Sequence, residues 1–345
     1  MSWLSDDEDD DLEYDEADIR VRPNPKANRP RTKRRPAHAD ARIARVLGVD
    51  RGRYTVLVDE DGPDERQILA SRARELRKQP IVNGDLARVV GDTSGDDGTL
   101  GRIVGIQDRT SLLRRSADDT DQVERIIVAN ADQMLIVVAA ADPEPRPRLV
   151  DRYLIAALDA GIHPMLVVTK TDLADPTAFL AHFEGLDDLE VFTSGREAMP
   201  VETIGARLAG HSTVFVGHSG VGKSTLVNAL VPDALRATGH VNEVTGRGRH
   251  TSSSAVSLRY VGDDGKGWVI DTPGVRSFGL GHVDPANILR AYTDLAAVAA
   301  ECPRGCTHLP DAPDCAIAEA VADGRLGDRG AARLDSLQRL LATFA

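Results

Sequence analysis

The run Gly217-His218-Ser219-Gly220-Val221-Gly222-Lys223-Ser224 constrains this chain more than any other. It satisfies G-x-x-x-x-G-K-[ST], directly after the apolar run Thr213-Val214-Phe215-Val216 and at the start of a helical stretch, residues 223–230. Glycines at those positions let backbone N–H groups turn toward phosphate oxygens at the positive end of a helix dipole. Lys223 is placed to reach the β- and γ-phosphates and the Ser224 hydroxyl to meet Mg²⁺. Thr225 follows on the first helical turn. A strand, a phosphate loop and a helix in that order require an α/β layer with a mostly parallel sheet.

Two further segments end apolar strands in the same way. Asp271-Thr272-Pro273-Gly274 follows Trp268-Val269-Ile270. There Asp271 is expected to reach Mg²⁺ through water and the Gly274 amide to contact the γ-phosphate. Thr169-Lys170-Thr171-Asp172 follows Met165-Leu166-Val167-Val168. A carboxylate at 172 can accept two hydrogen bonds from the N1–H and N2–H₂ edge of guanine, an edge adenine lacks. Lys170 is expected over the base plane, with the amides of Ser194-Gly195 completing the pocket. A Thr at 169 makes fewer contacts than the commoner Asn, so modest nucleotide affinity is expected. The base-reading segment precedes the phosphate loop, whereas ordinary GTPases place it after. Such a rotation leaves a three-dimensional site unchanged, because the termini of compact domains usually lie close together.

Between the helix and Asp271 lies Gly246-Arg247-Gly248-Arg249-His250-Thr251-Ser252-Ser253-Ser254, with the composition of a switch loop. Thr251 or Ser252 is the candidate second hydroxyl on Mg²⁺. Val275 stands where many GTPases carry a water-orienting glutamine, which leaves His250 as the candidate for positioning the nucleophile.

All three cysteines of the 345 residues fall in Cys302-x3-Cys306-x-His308-x6-Cys315. Three thiolates and an imidazole compose a closed, structural Zn²⁺ site, and an odd cysteine count argues against disulfides.

The remaining sequence divides by texture into three structured domains behind an arm. Residues 1–40 lack hydrophobic period: ten acids crowd positions 6–18 and eight Lys or Arg positions 20–35, within a net charge of -12. This arm is expected to be disordered, either as a solubilising tail or as a basic contact for RNA phosphates. Residues 41–108 alternate in short runs around 42–46, 54–58, 86–90 and 100–104. Asp61-Gly62, Asn83-Gly84 and Asp97-Gly98 punctuate them as turns, so an all-β, OB-like barrel is expected. Residues 109–283 read as the α/β unit, with strands near 133–139, 164–168, 189–193, 213–216 and 268–271 and a helix at 150–160. Residues 284–345 read as helical around the cysteine cluster. The longest apolar run, residues 134–141, is too short to span a bilayer, and the acidic N-terminus shows no secretory pattern. A cytoplasmic, monomeric protein without membrane contact is expected.

Together these residues resemble the circularly permuted, ribosome small-subunit-dependent GTPases of the RsgA (YjeQ) family, over roughly residues 42–345. The phosphate loop G-H-S-G-V-G-K-S, the G-R-x-H-T stretch at 248–251 and the link Arg109-Thr110-Ser111-Leu112-Leu113-Arg114 carry the likeness. The resemblance implies GTP hydrolysis stimulated by the small ribosomal subunit and its rRNA, during late maturation of that subunit, with His250 acting in catalysis. The ligand spacing, x3 and x6, departs from the family's x4 and x5. The alternative reading is a nucleotide-gated rRNA-binding module in which hydrolysis is incidental.

Overall fold

A computed structural model describes residues 38–76, 79–116, 124–186, 188–232, 255–272, 278 and 280–344. Residues 1–37 of the N-terminal arm and the 246–254 loop lie outside these residues.

Five strands close the expected barrel: β1 (Arg42–Asp50), β2 (Arg53–Val58), β3 (Arg66–Arg72), β4 (Leu86–Gly91) and β5 (Gly101–Ile106). They run β1-β2-β3-β5-β4 and return to β1, with β3 and β5 parallel and the other pairs antiparallel. Alternation decides the interior: Val46, Val56, Ile68, Ala70, Ala87, Val89 and Ile103 fill it, while Arg88 points outward between two of them. Strand β3 is barely visible as sequence, because only Ile68 and Ala70 of RQILASR are buried.

Of the three expected turns, Asn83-Gly84 does more than reverse the chain. It is buried where the barrel meets a hairpin of β6 (Leu112–Ser116) and β7 (Glu124–Ala129). The Ala129 amide donates to the Asn83 carbonyl at 3.0 Å. A Cβ on Gly84 would overlap the Ala129 carbonyl oxygen, so only glycine permits this approach. Beside it the fully buried Asp85 carboxylate accepts both arms of the Arg109 guanidinium, at 2.6 and 2.8 Å. The link after the barrel is therefore anchored back onto the barrel by a bidentate pair.

The α/β body contains β8 (Gln133–Ala139), β9 (His163–Thr169), β10 (Glu190–Ser194), β11 (Ser212–Val216), β12 (Val256–Gly262) and β13 (Gly265–Asp271). Their order is β10-β9-β8-β11-β13-β12, parallel except for the β12–β13 hairpin. Every residue of β8 and β11 is buried, as a strand covered on both faces requires. Helix α1 (Pro147–Asp159) covers one face through Val150, Tyr153, Leu154 and Ala157. Its early start, ahead of the expected 150, follows from Pro147 in the first turn. A four-residue α2 (Thr177–Leu180) packs Phe179 on the same side. Helices α3 (Val201–Leu208) and α4 (Lys223–Leu230) cover the other face.

Beyond the sheet, α5 (Pro285–Arg290), α6 (Thr293–Ala299), α7 (Ala316–Ala322) and α8 (Gly330–Leu341) bury Ile288, Leu295, Ile317, Leu337 and Leu340 together. Ile155 of α1 joins that cluster. One helix thus serves the sheet on one side and the C-terminal helices on the other. Barrel and body meet edge to edge at Gly48 and Val256. Among the described residues eleven strands form a single sheet, and Asp40–Ala345 form one compact unit.

Candidate nucleotide site and metal centre

In a parallel sheet the crevice for ligands lies beyond the carboxyl ends of the strands. Thr169, Ser194, Val216 and Asp271 all end strands there. Register aligns Thr169 with Ser194, and Phe215 with Asp271.

The phosphate loop then leaves β11. A Cβ on Gly217 would run into the carbonyl oxygen of Val137 on β8. Gly222, at φ 90°, opens α4 in the left-handed region that side chains avoid. Lys223 and Asp271 meet: Nζ contacts Oδ1 directly, with both side chains largely shielded from water. The Thr272 hydroxyl, fully buried, donates to the Phe215 carbonyl at 2.7 Å and fixes the end of β13 to β11. Ser224 and Thr225 are exposed on the first turn of α4, and His218 directs Nδ1 at the Ser219 carbonyl, 3.0 Å away.

Thr169 belongs to both halves of the site. Its buried Oγ1 lies 2.6 Å from the Val221 carbonyl in the phosphate loop and 3.2 Å from the Val138 carbonyl on β8. The hydroxyl has one proton, and the nearer carbonyl, that of Val221, is the better placed to accept it. The Thr171 amide donates to the Ser194 carbonyl at 3.2 Å. Lys170, at φ 57°, donates its Nζ proton to the Asp142 carbonyl.

The structure brings Asp172 together with Ser194 and Gly195, but through a neighbour that sequence reading missed. The Gly195 amide donates to the Ala198 carbonyl at 3.3 Å, while the amide of Arg196 donates to Asp172 Oδ1 at 3.1 Å. No side-chain pattern flags Arg196, because the group involved is its backbone. His250, Thr251, Ser252 and Gly274 lie outside the described residues. Their flanks are fixed: β12 begins at Val256, and Phe278 is fully buried against Tyr153, ring centroids 5.6 Å apart and edge to face.

Away from the strand ends, the ligand atoms of Cys302, Cys306, His308 and Cys315 all lie within 4.8 Å of one another. His308 Nδ1 is 3.7 Å from the sulfurs of Cys302 and Cys315, close to the N···S edge of about 3.6 Å expected when a tetrahedral Zn²⁺ takes one imidazole nitrogen and thiolate sulfurs. The donor set and its spacing fit Zn²⁺, so the x3 and x6 separations do not scatter the ligands. Burial holds the His308 imidazole below its usual pKa and so in the neutral form that ligates metals. Gln338 of α8 donates to the His308 carbonyl at 3.1 Å and holds the loop in place.

A cleft of about 670 Å³ lies elsewhere, between the start of β9 and the helices α5 and α6. In it Arg333 pairs with Asp294 at 2.6 Å, and the Asn287 amide donates to Asp159 at 2.8 Å. The strand-end chemistry does not reach it.

A phosphate loop joined by a threonine to a base-side turn that precedes it in the chain defines the class: a circularly permuted P-loop GTPase, here with an OB-like barrel before it and a Cys₃His cluster after it. The chain belongs to the RsgA GTPase family, whose pattern it matches over residues 106–281. It is 37% identical over 293 residues to the small ribosomal subunit biogenesis GTPase RsgA of Pseudomonas syringae pv. tomato, covering 83% of this chain and 81% of that one. It is likewise 37% identical over 274 residues to RsgA 1 of Vibrio vulnificus, covering 77% and 75%. Among solved structures it resembles YjeQ from Thermotoga maritima, with a TM-score of 0.63 at 24% identity, over 88% of this chain and 98% of that one. It also resembles YloQ, described as a circularly permuted GTPase, with a TM-score of 0.60 at 24% identity, over 90% and 99%. At that identity the two structures bear on the fold alone. Among the described residues no helix is long and apolar enough to cross a membrane.

Proposed function

We propose that this protein hydrolyses GTP to GDP and phosphate at the strand-end site, in the cytoplasm, under stimulation by the small ribosomal subunit during its late maturation. Three units divide the work: the barrel (41–108), the α/β body (109–283) and the C-terminal helices (284–345). The observation that carries the reading is the hydrogen bond from Thr169 to Val221, which joins the base-side turn to the phosphate loop across the permutation. The names borne by the relatives supply the ribosomal partner.

In this reading the carboxylate of Asp172 accepts the guanine N1–H and N2–H₂, with Thr171, Lys170, Ser194 and Gly195 shaping the base pocket. The amides of residues 217–222 and the Lys223 ammonium take the phosphate charge. Ser224, Asp271 and one of Thr251 or Ser252 hold Mg²⁺, directly or through water. When bound, that ion neutralises charge on the β- and γ-phosphates. His250 orients a water for attack at the γ-phosphorus; the bond to the β-phosphate oxygen breaks and GDP leaves. The Gly274 amide follows the γ-phosphate. Cys302, Cys306, His308 and Cys315 hold Zn²⁺ as a structural tie. The protein acts as a monomer and contacts rRNA.

The test compares phosphate release by the purified protein alone and with purified small subunits. The expected result is a rate at least about tenfold higher with subunits, the scale on which a completed catalytic constellation acts. Equal rates would reject the ribosomal role and leave a GTPase without its stimulus. His250→Ala is expected to bind GTP normally and hydrolyse it poorly.

A further inference from the structure

Barrel and body share more than an edge. At the β2–β3 corner, Glu60 accepts three donors: Arg45 Nε at 2.8 Å, Arg259 Nη1 at 3.0 Å and the indole N–H of Trp268 at 2.7 Å. Arg45 and Glu60 belong to the barrel; Arg259 lies on β12 and Trp268 on β13. Both guanidinium groups also lie over the indole ring, 5.2 and 4.8 Å from its centroid, where the ring quadrupole attracts cations. The indole itself is buried against Leu47 and Leu57 of the barrel. Next to Glu60, Asp61 takes Arg259 and Lys266 Nζ, the latter at 3.0 Å, and these contacts, Arg259 foremost, hold its carboxyl below the usual range.

This corner grips the strands that frame the phosphate site. Trp268 and Arg259 are register partners on the β12–β13 hairpin. Three residues beyond Trp268, about 10 Å along the strand, β13 ends at Asp271, the partner of Lys223. Strand β12 begins at Val256, which pairs with Asp271 on one side and with Gly48 of the barrel on the other. Gly48, Val256 and Asp271 therefore stand in one row across three strands. A rigid-body shift of the barrel has two ways into the Asp271 end of β13: the backbone row and the Glu60 clamp. The clamp lies in a partly shielded place, with the Glu60 side chain 24% exposed, so its charge-assisted bonds are worth more than a surface pair.

We propose that Glu60 is a positioning residue that couples the barrel to the phosphate end of the sheet, so that a change at the γ-phosphate is felt in the barrel and a partner seated on the barrel is felt at Asp271. The coupling rests on the assignment of Asp271 and the phosphate loop made above. Glu60 touches no nucleotide; it acts through Trp268 and Arg259.

Hydrogen exchange, read by mass spectrometry on the full chain with Mg²⁺ and either GDP or a non-hydrolysable GTP analogue, tests this. In the unaltered protein, exchanging GDP for the analogue is expected to change the exchange rate of peptides from 53–72 about twofold or more, together with those from 256–271. In Glu60→Ala, with only the backbone row left, the barrel peptides should respond clearly more weakly while 256–271 keep their response. Should Glu60→Ala melt too readily, Glu60→Met, close in length and without an acceptor oxygen for Trp268 and Arg259, carries the same expectation. A barrel that ignores the nucleotide in the unaltered protein, or one that responds as strongly in the variant, overturns the coupling. Absence of protection at 217–230 with either nucleotide is a different failure: it overturns the site assignment, and the coupling falls with it.

Discussion

The hydroxyl of Thr169 lies 2.6 Å from the carbonyl oxygen of Val221, so the turn proposed to face the base and the loop proposed to face the phosphates are one hydrogen-bonded unit. Fifty-two positions separate the two residues in the chain. Thr169→Val keeps the shape and leaves a buried carbonyl short of a donor, a loss of about 1–3 kcal/mol. Calorimetry is expected to show GTP affinity about tenfold lower, with GDP weakened in parallel because both contact the same loop. Unchanged affinity would mean the bridge contributes only to folding.

Asp172, proposed to read the guanine edge, accepts the Arg196 amide on one of its carboxylate oxygens. Replacing the carboxylate with a carboxamide reverses the donor pattern offered to the base. Asp172→Asn is expected to weaken GTP binding by roughly 10- to 100-fold, the worth of hydrogen bonds to a charged group. Xanthosine triphosphate should bind the variant better than GTP does. Retained preference for GTP would place the base elsewhere.

The ring of Phe278 packs edge to face with that of Tyr153. Both are essentially inaccessible to solvent. Phe278→Ala is expected to cost about 3–5 kcal/mol in a denaturant titration. Phe278→Leu, closer in volume, should cost less and still bind nucleotide.

Burial pushes the Tyr153 phenol from 10.0 up to about 12. Folding therefore favours the neutral phenol. Its contribution is complete below pH 10 and is lost as pH rises toward 12, where the unfolded chain ionises first. The size is about 2–3 kcal/mol. Alkaline unfolding curves should show that slope, and Tyr153→Phe should flatten it between those pH values. An equally steep curve in the variant would assign the slope to other groups.

Cys315 is the most buried of the four clustered ligands and immediately precedes α7. Metal analysis is expected to return one Zn²⁺ per chain, and Cys315→Ala should lose it. The melting temperature should drop by about 5–10 °C, because the ligand loops pin α6, α7 and α8 to one core. Full zinc content in the variant would contradict the ligand set.

The sequence made legible whatever is decided within one strand and its following turn. The phosphate loop, Thr169-Lys170-Thr171-Asp172 and Asp271 each sit at the end of a fully apolar run, and the structure places all three at one end of one sheet. The cysteine cluster was legible for a similar reason, since its ligands lie within fourteen positions. What depends on distant partners was not. Glu60 and Trp268 lie 208 positions apart and meet only in the fold, so no local pattern links them. Asn83-Gly84 read as a turn, and its burial as a junction whose glycine answers to Ala129 depends on a partner 45 positions away. Arg196 contributes only its amide, which a side-chain motif cannot encode. Strand β3 hid because the barrel asks just two of its residues to be apolar.

The central claim is that the segments around Asp172 and Lys223, in rotated order, hold one guanine nucleotide. Titration calorimetry of the full chain with Mg²⁺ and GTP measures that directly. The account expects one nucleotide per chain, no comparable heat with ATP, and loss of the signal in Lys223→Ala. Equal binding of ATP, or no heat with GTP from a folded sample, would contradict it.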